Sequence, residues 1–393
     1  MKTMYHFSKQ IILLAMSLLL LSITACDSQE ITSEWTKEFK TESSDFIKAV
    51  KVDFNGDIIM VGTAFVDEDI TTEKLLIVKY NSRGSLLWNL KYTFKYETKS
   101  LYINDTEIDN GGNIYISGDI GVPVVIKIKN DGTVVWEKAF VGTENWLTGG
   151  LVIKNDIVYM TNINTYMLNA NTGDVLLTIP GSLKTTDIVL DTRGNICIAG
   201  YKFIASYDTK GNELWFHNWS SSNYSSVQLL GDNKGNIFAV TNSNSIYTMK
   251  IDSTTGTILT TAVEESYNFW NPMIALSGNN IIMAVSIDDG TWKRRVVKYT
   301  NNLSKTWSKH FDRGIKNMDL NQLLVDSKED IYITGGNLTT KIDSNGNEIG
   351  YGKDVSSYTD NFIAIDPNEN YLYLGTMKET YDNNNFMLYQ FKL

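Results

Sequence analysis

The stretch Asp109–Gly118, DNGGNIYISG, decides the fold: an Asp, a Gly-Asn turn, then a short apolar run that stops at Gly. In such a stretch the Asp side chain braces the turn, the Gly takes a positive φ, and the apolar run is the strand that follows. Seven further stretches repeat it, sharply or loosely. They are VDFNGDIIMVG (Val52–Gly62), IKNDIVYMT (Ile153–Thr161), LDTRGNICIAG (Leu190–Gly200), GDNKGNIFAVT (Gly231–Thr241), SGNNIIMAV (Ser277–Val285), VDSKEDIYITG (Val325–Gly335) and IDPNENYLYLG (Ile365–Gly375). Anchored on Ile58, Ile114, Ile157, Ile196, Ile237, Ile281, Ile331 and Tyr371, the spacings are 56, 43, 39, 41, 44, 50 and 40 residues. Repeats of this length holding several short strands are the signature of a β-propeller.

Each unit reads as four strands. A short first strand ends in the turn Asp, as in Ala49–Asp53, and the anchor run is the second. Its near-continuous apolar character fits a strand covered on both faces, as stacked blades require. Third strands follow at Leu75–Tyr80, Val124–Ile128, Phe203–Tyr207 and Arg295–Tyr299, each carried by a polar turn into a fourth. The fourth strand holds Trp four residues after a turn Gly at Gly84/Trp88, Gly132/Trp136 and Gly211/Trp215, and Trp307 takes the same place. A Trp in fixed register on an outer strand is expected to fill the wedge between blades. Lys79, Lys127, Lys250, Lys298 and Lys341 recur on the third strand, where aliphatic stems lying along the sheet with their heads in water would account for them. Phe386–Leu393 matches a third strand with no fourth after it, and residues 33–39, with Trp35, match a fourth with no third before it. Pairing them closes the ring and removes two free edges. The expectation is an all-β, eight-bladed β-propeller whose last blade is shared by the termini. Seven blades is the alternative, because the Ile153–Thr161 and Ser277–Val285 copies are degenerate.

The first residues follow a different logic. Lys2 and Lys9 precede an apolar run from Ile11 to Ala25, shorter than the roughly 20 residues a spanning helix needs. The run ends Ile23-Thr24-Ala25-Cys26, which resembles a bacterial lipobox. The resemblance implies a signal peptide over 1–25, a lipid on Cys26, a linker over 26–32 and the propeller over 33–393, outside the cytoplasm and held to a membrane. Removing two lysines and no acid takes the net charge from −10 to −12. With no Lys/Arg-rich block, a nucleic-acid partner is not expected. The other cysteine, Cys197, lies in an apolar strand, so it is expected to be buried and inert rather than in a disulfide.

The segments GNIYISG, KYNSRGSLLW and SYDTKGNELW resemble the bacterial β-propeller repeats of many secreted and lipid-anchored proteins. NANTGDVLL (Asn169–Leu177) and IDSTTGTIL (Ile251–Leu259) are similar to the related quinoprotein-like repeat. The resemblance spans about residues 33–393 and carries the fold rather than an activity. One lipid-anchored eight-bladed member of the wider class, the propeller subunit of the outer-membrane β-barrel assembly machinery, binds a partner protein and catalyses nothing.

Enzyme chemistry finds little support in the residues. The adjacent cysteines of quinoprotein dehydrogenases are missing, and the turns run Gly-x-x-x-Trp, one residue out of register with the sialidase Asp box. His217 and His310 follow Trp strands with no nucleophile or zinc-ligand spacing nearby. The Asp-rich turns lack the alternating carboxylates and distal Glu of a calcium loop. No catalytic residue, metal or cofactor is therefore expected, although a hydrolase or lyase with acids gathered from different blades stays open. The long or aromatic connections all fall between second and third strands or between blades, which share one face in a propeller. Trp146, Trp219, Trp270 and Trp292 lie there, and one face carrying aromatics points to recognition of an envelope protein, or alternatively of a glycan.

Overall fold

The computed structural model describes residues 29–393 apart from 42–43, 67–68, 97–99, 142–148, 182, 219–226, 244, 266–268, 289–291, 312–319, 336–337, 354–359 and 380–383. Every regular element among the described residues is a strand, and the strands form eight sheets, each with four antiparallel strands and one with a fifth strand added in parallel. Blade 1 is Asp45–Val52, Ile58–Val66, Asp69–Tyr80 and Leu86–Tyr92; blade 2 is Tyr102–Ile108, Ile114–Asp119, Pro123–Ile128 and Val134–Ala139. Blade 3 is Leu151–Lys154, Ile157–Thr161, Thr165–Asn169 and Val175–Ile179; blade 4 is Thr185–Leu190, Ile196–Gly200, Phe203–Tyr207 and Glu213–Asn218. Blade 5 is Gln228–Gly231, Asn236–Asn242, Ser245–Asp252 and Ile258–Glu265; blade 6 is Phe269–Ser277, Asn280–Asp288, Trp292–Tyr299 and Lys305–Phe311. Blade 7 is Gln322–Val325, Ile331–Gly335, Leu338–Ile342 and Glu348–Lys353. Blade 8 joins Phe362–Ile365, Tyr371–Glu379 and Asn384–Lys392 to the N-terminal Trp35–Phe39, which pairs antiparallel from Trp35↔Gln390 to Phe39↔Phe386. The first strands follow one another around an axis, and that of blade 8 returns to that of blade 1. This is the eight-bladed ring closed by both termini. One feature differs from the expected boundaries: Gln29–Glu30, inside the segment read as linker, pairs in parallel with the outer strand of blade 7.

The turns between first and second strands form as their residue types require. Asp53 Oδ1 accepts the backbone N–H of Asn55 and Asp57, and Gly56, at φ +81°, closes the turn through its own N–H to Asp53 O. The same bracing recurs at Asp109, Asp191, Asp232, Asp326 and Asp366. In the copies without Gly the left-handed position falls to Glu329 and Glu369, and Asn155–Asp156 form a two-residue hairpin with both φ positive.

The blades are joined by what the fourth strand does to its neighbour. Trp88, Trp136, Trp215 and Trp307 each donate the indole N–H to a carbonyl in the next blade's third–fourth turn: Asn130 (2.9 Å), Ala170 (3.1 Å), Ser253 (2.9 Å) and Ser344 (3.1 Å). The Gly of that turn lies under the ring. A Cβ added to Gly132, Gly173, Gly256 or Gly346 would stand 2.7–3.1 Å from the indole, and Gly84 of blade 1 faces Trp35 of blade 8 in the same way. The third-strand lysines are part of this contact. Lys79, Lys127 and Lys298 are the cross-strand partners of Trp88, Trp136 and Trp307. Each reaches the same residue of the next blade as its Trp does: Asn130, Ala170 and Ser344. They are buried, with Lys79 also paired to Asp53 at 2.8 Å and Lys298 to Glu329 at 2.8 Å, so their heads do not snorkel to water.

Three wedges lack the Trp and are filled otherwise. Leu177 takes its place in blade 3 and lies against Gly211 of blade 4. In blade 5 the place is held by Thr260, and the facing turn residue is the large, buried Leu303 at φ +58°, so bulk lost on one side is returned from the other. That wedge also holds Glu264, buried between Arg295 and Lys305 of blade 6 and accepting the hydroxyl of Tyr299 at 2.7 Å. In blade 7 the place is Gly350, against which Gln29 runs, while Ile31 packs into the blade 7–8 cluster.

These contacts rank the substitutions. Trp136→Ala should cost about 3–5 kcal/mol, the range for emptying a buried aromatic site. Gly235→Ala meets only its φ of +89°, since nothing lies within 4 Å of the added methyl; this should cost roughly 1–2 kcal/mol. Gly173→Ala adds a 2.7 Å collision with Trp136 to a similar φ and should cost more than Gly235→Ala in urea unfolding. Equal midpoints for the two glycine variants would contradict the wedge packing.

Candidate functional site

The first strands surround an axial channel whose lining follows from one position in the repeat. Four residues before the turn Asp the eight units place Ala49, Asp105, Asp187, Gln228, Gln322 and Phe362 in those copies that keep the Asp. A one-residue bulge in the first strand, between Ile103 and Asp105 and between Thr185 and Asp187, turns this position toward the next blade. Asp105 Oδ2 then accepts the N–H of Leu151 at 2.8 Å, Asp187 Oδ2 that of Leu229 at 2.7 Å, and Gln322 Oε1 that of Ile363 at 2.8 Å. The other carboxylate oxygens accept Thr106 N and Ile188 N. Side chains that look like an acidic cluster in the channel thus bond the inner strands of adjacent blades.

One rung nearer the tight-turn face, Lys51 and Glu107 form an ion pair at 3.1 Å. Burial alone would lower the Lys51 ammonium, but the charges of Glu107 and Asp105 hold it above its usual range. Burial raises Glu107, with Lys51 opposing. Burial also pushes Asp187 up to about 7, aided by the charge of Asp105. These groups are partly open to the channel, yet the surrounding protein is low-dielectric matter, and it governs their ionisation. The channel holds a space of about 310 Å³ that takes in Lys51 and Asp105 and extends to a rim at Lys48, Asn104, Asn321 and Phe362. Lys48 and Asp360 pair across blades 1 and 8 at 2.9 Å on this rim and are both well exposed.

Two clefts lie off the axis. One of about 210 Å³ runs between blades 3 and 4, the wedge with Leu177 in place of Trp, and is lined by Ile163, Ile179, Pro180, Phe203, Tyr207 and Phe216. Another, about 570 Å³, opens on the tight-turn face between blades 2 and 3, beside Asp109, Tyr115, Lys127, Lys154 and Asp156. Its buried polar groups serve the wedge: Tyr115 donates to Asp109 at 3.1 Å and Lys127 to Ala170 O at 2.8 Å. Among the described residues no group of three or more His, Cys, Asp or Glu side chains is placed to hold a metal ion. Cys197 is free and fully buried, and burial pushes its thiol up to about 11. Cys26 lies outside the described residues.

The four tryptophans proposed as binding residues fare differently. Trp146 and Trp219 lie outside the described residues. Trp270 and Trp292 stand in strands rather than in connections, Trp270 opposite Ser286 and Trp292, half-buried, opposite Asp288, both at the long-connection end of blade 6. The extended first and third strands of that blade carry the ladder past the usual length, which the sequence spacing did not reveal. The channel residues Lys48, Asp105, Asp187 and Asp360 were not singled out from the sequence. The available signal was the recurrent polar residue four before the turn Asp.

The sign of the Asp187 shift gives a pH dependence. Its pKa is higher in the folded state than the usual carboxylate value, so its contribution is fully present in acid and is lost as pH rises toward and through about 7. Asp187→Asn keeps an uncharged acceptor at the cost of one of two accepted bonds, about 1 kcal/mol. The wild-type melting temperature should therefore fall between pH 5 and 8 more steeply than that of the variant, by at least about 2 °C. Parallel curves would mean that Asp187 stays ionised across that range.

No protein-family model and no curated protein matches the chain by sequence. Its fold is shared with solved propellers. BamB from Moraxella catarrhalis superposes with a TM-score of 0.61 at 15% identity, covering 91% of this chain and 99% of that one. The C-terminal WD40 domain of Sif2 gives 0.65 at 10%, covering 92% and 99%. The quinohemoprotein alcohol dehydrogenase from Comamonas testosteroni gives 0.64 at 11%, covering 94% and 77%. At these identities the likeness is one of fold, and it spans BamB, a WD40 domain and an alcohol dehydrogenase alike.

Proposed function

We propose that this chain is a non-catalytic binding or scaffold module of the bacterial envelope, held to a membrane by lipid on Cys26 and capturing an envelope protein with its long-connection face. The observation that carries the reading is the difference between the two faces. On one, the Asp side chains of the turns accept backbone N–H groups of their own turns, as at Asp53, Asp109, Asp208 and Asp343. On the other, the connections differ in length and hold or adjoin Trp146, Trp219, Trp270 and Trp292, around a channel mouth rimmed by Lys48 and Asp360. Uneven, aromatic-bearing loops on a rigid ring are the usual makings of a recognition surface, since Trp gives a large contact area at low entropic cost. The eight-bladed ring shared with BamB from Moraxella catarrhalis is compatible with that role.

The anchor has a direct test. The wild type should incorporate labelled fatty acid, and Cys26→Ser should abolish incorporation; an unlabelled wild type would end the lipoprotein reading. Capture has another. In-cell crosslinking from the membrane fraction should recover one dominant envelope protein, and at least two of the four Trp→Ala variants should weaken it by about 2 kcal/mol or more, roughly 30-fold in Kd. Arg83→Ala and Lys234→Ala, on the tight-turn face, should leave capture unchanged. Recovery of envelope polysaccharide instead, lost in the same Trp variants, would make the ligand a glycan. Loss only in the turn variants would place recognition on the wrong face.

A further inference from the structure

The strand Gln29–Glu30 fixes more than the edge of blade 7. It runs parallel to Glu348–Lys353, with Gln29 opposite Gly350, Glu30 opposite Tyr351, and Ile31 N donating to Tyr351 O at 2.8 Å. Strand Glu348–Lys353 leaves the tight turn at Asp343–Asn347 and climbs toward the long-connection face, so a parallel strand arrives from the tight-turn side. The register says how close to that side it joins. Gly350 pairs with Lys341 and Lys341 with Tyr332, one rung above the Ile331↔Ile342 pair at the turn end. The other end of the blade is the Gly335↔Leu338 pair, with Lys353 opposite Leu338. That is three residues beyond Gly350, about 10 Å along a strand.

Cys26 precedes Gln29 by three residues, and three residues span at most about 11 Å. A lipid on Cys26 therefore enters the bilayer close to the turn end of blade 7. We infer that the anchored propeller lies with its tight-turn face, at the blade 7 rim, against the membrane surface, so that the long-connection face points away from the lipid toward a partner. This rests on the reading of Cys26 as the lipid site. Two independent fastenings hold the tether at that rim: Ile31 packs into the blade 7–8 cluster, and Trp35–Phe39 closes blade 8 a few residues later. A flexible linker over 26–32 would have left the ring free to tumble; a strand begun at residue 29 does not.

The test uses the full-length lipidated protein, purified from membranes and reconstituted in phosphatidylethanolamine–phosphatidylglycerol vesicles containing a headgroup-attached nitroxide lipid. Asn345→Cys on the blade 7 turn and Lys202→Cys at the opposite face each take a thiol-reactive fluorophore; Cys197 is buried and protonated and does not compete. The Asn345 label should lose most of its fluorescence to the nitroxide while the Lys202 label keeps it. Stronger quenching at Lys202, or equal quenching at both, would overturn the orientation. Ile31→Pro, which removes the N–H donated to Tyr351, should shrink the contrast while fatty-acid labelling persists; an unchanged contrast would mean that the strand does not set the orientation. If the wild type carries no fatty acid, the anchor reading and this inference fall together, and the labelling experiment reports that separately from any quenching.

Discussion

The fold depends on a contact made between blades rather than within them. A single blade cannot bury its apolar faces alone, and both must be covered by its neighbours. In blades 1, 2 and 6 the covering is specified by a cross-strand Lys–Trp pair whose two donors converge on one residue of the next blade, as Lys127 and Trp136 do on Ala170 O. In blades 4 and 8 the Trp stands opposite Ser206 and Gln390 instead. The indole needs a flat neighbour, and the turn supplies one by placing Gly beneath it at positive φ, where no Cβ is present and the backbone conformation is one that other residues adopt at a cost. A desolvated ammonium is costly unless it finds acceptors, so the lysine also fixes the register in which neighbouring blades meet.

The exceptions show that the constraint is on volume and on satisfied polar groups, not on a particular residue. Thr260 against Leu303 reverses the large and small partners, and the Glu264–Arg295–Lys305 group completes the same wedge with paired charge. Leu177 only partly replaces an indole, and a cleft lies in that wedge. At Gly350 the chain's own N-terminal strand supplies the cover. Because that strand also leads to Cys26, the orientation inferred above rests on the packing of one blade.

Along the axis the same economy of polar groups operates. Asp105, Asp187 and Gln322 accept N–H groups of the following blade, so these channel side chains are engaged in joining inner strands. The Asp side chains of the tight turns are spent locally in the same manner. Under the proposed function, recognition falls to the face where connection length varies, since no repeated hydrogen-bond pattern constrains it.

The sequence by itself determined the propeller architecture, the turn chemistry and the expectation of a shared last blade, with eight blades favoured over seven. Each of these follows from local rules: an Asp that braces its own turn, a Gly at positive φ, an apolar run of strand length, and a terminal strand lacking its partner. The recurrent Trp was legible as a wedge filler because its register to the turn Gly is local too. The tertiary structure decided where the lysines point, since a stem along the surface and a stem into the next blade have the same spacing in sequence. It decided that Asp105 and Asp187 bond a neighbouring strand, because a bulge changes which way a side chain faces without changing the residue pattern. It placed Trp270 and Trp292 in strands, since how far a hairpin ladder runs before it opens into a connection is set by pairing and not by the spacing of the repeats. And it set Gln29 beside Gly350, a contact between residues more than three hundred positions apart that only closure of the ring brings together.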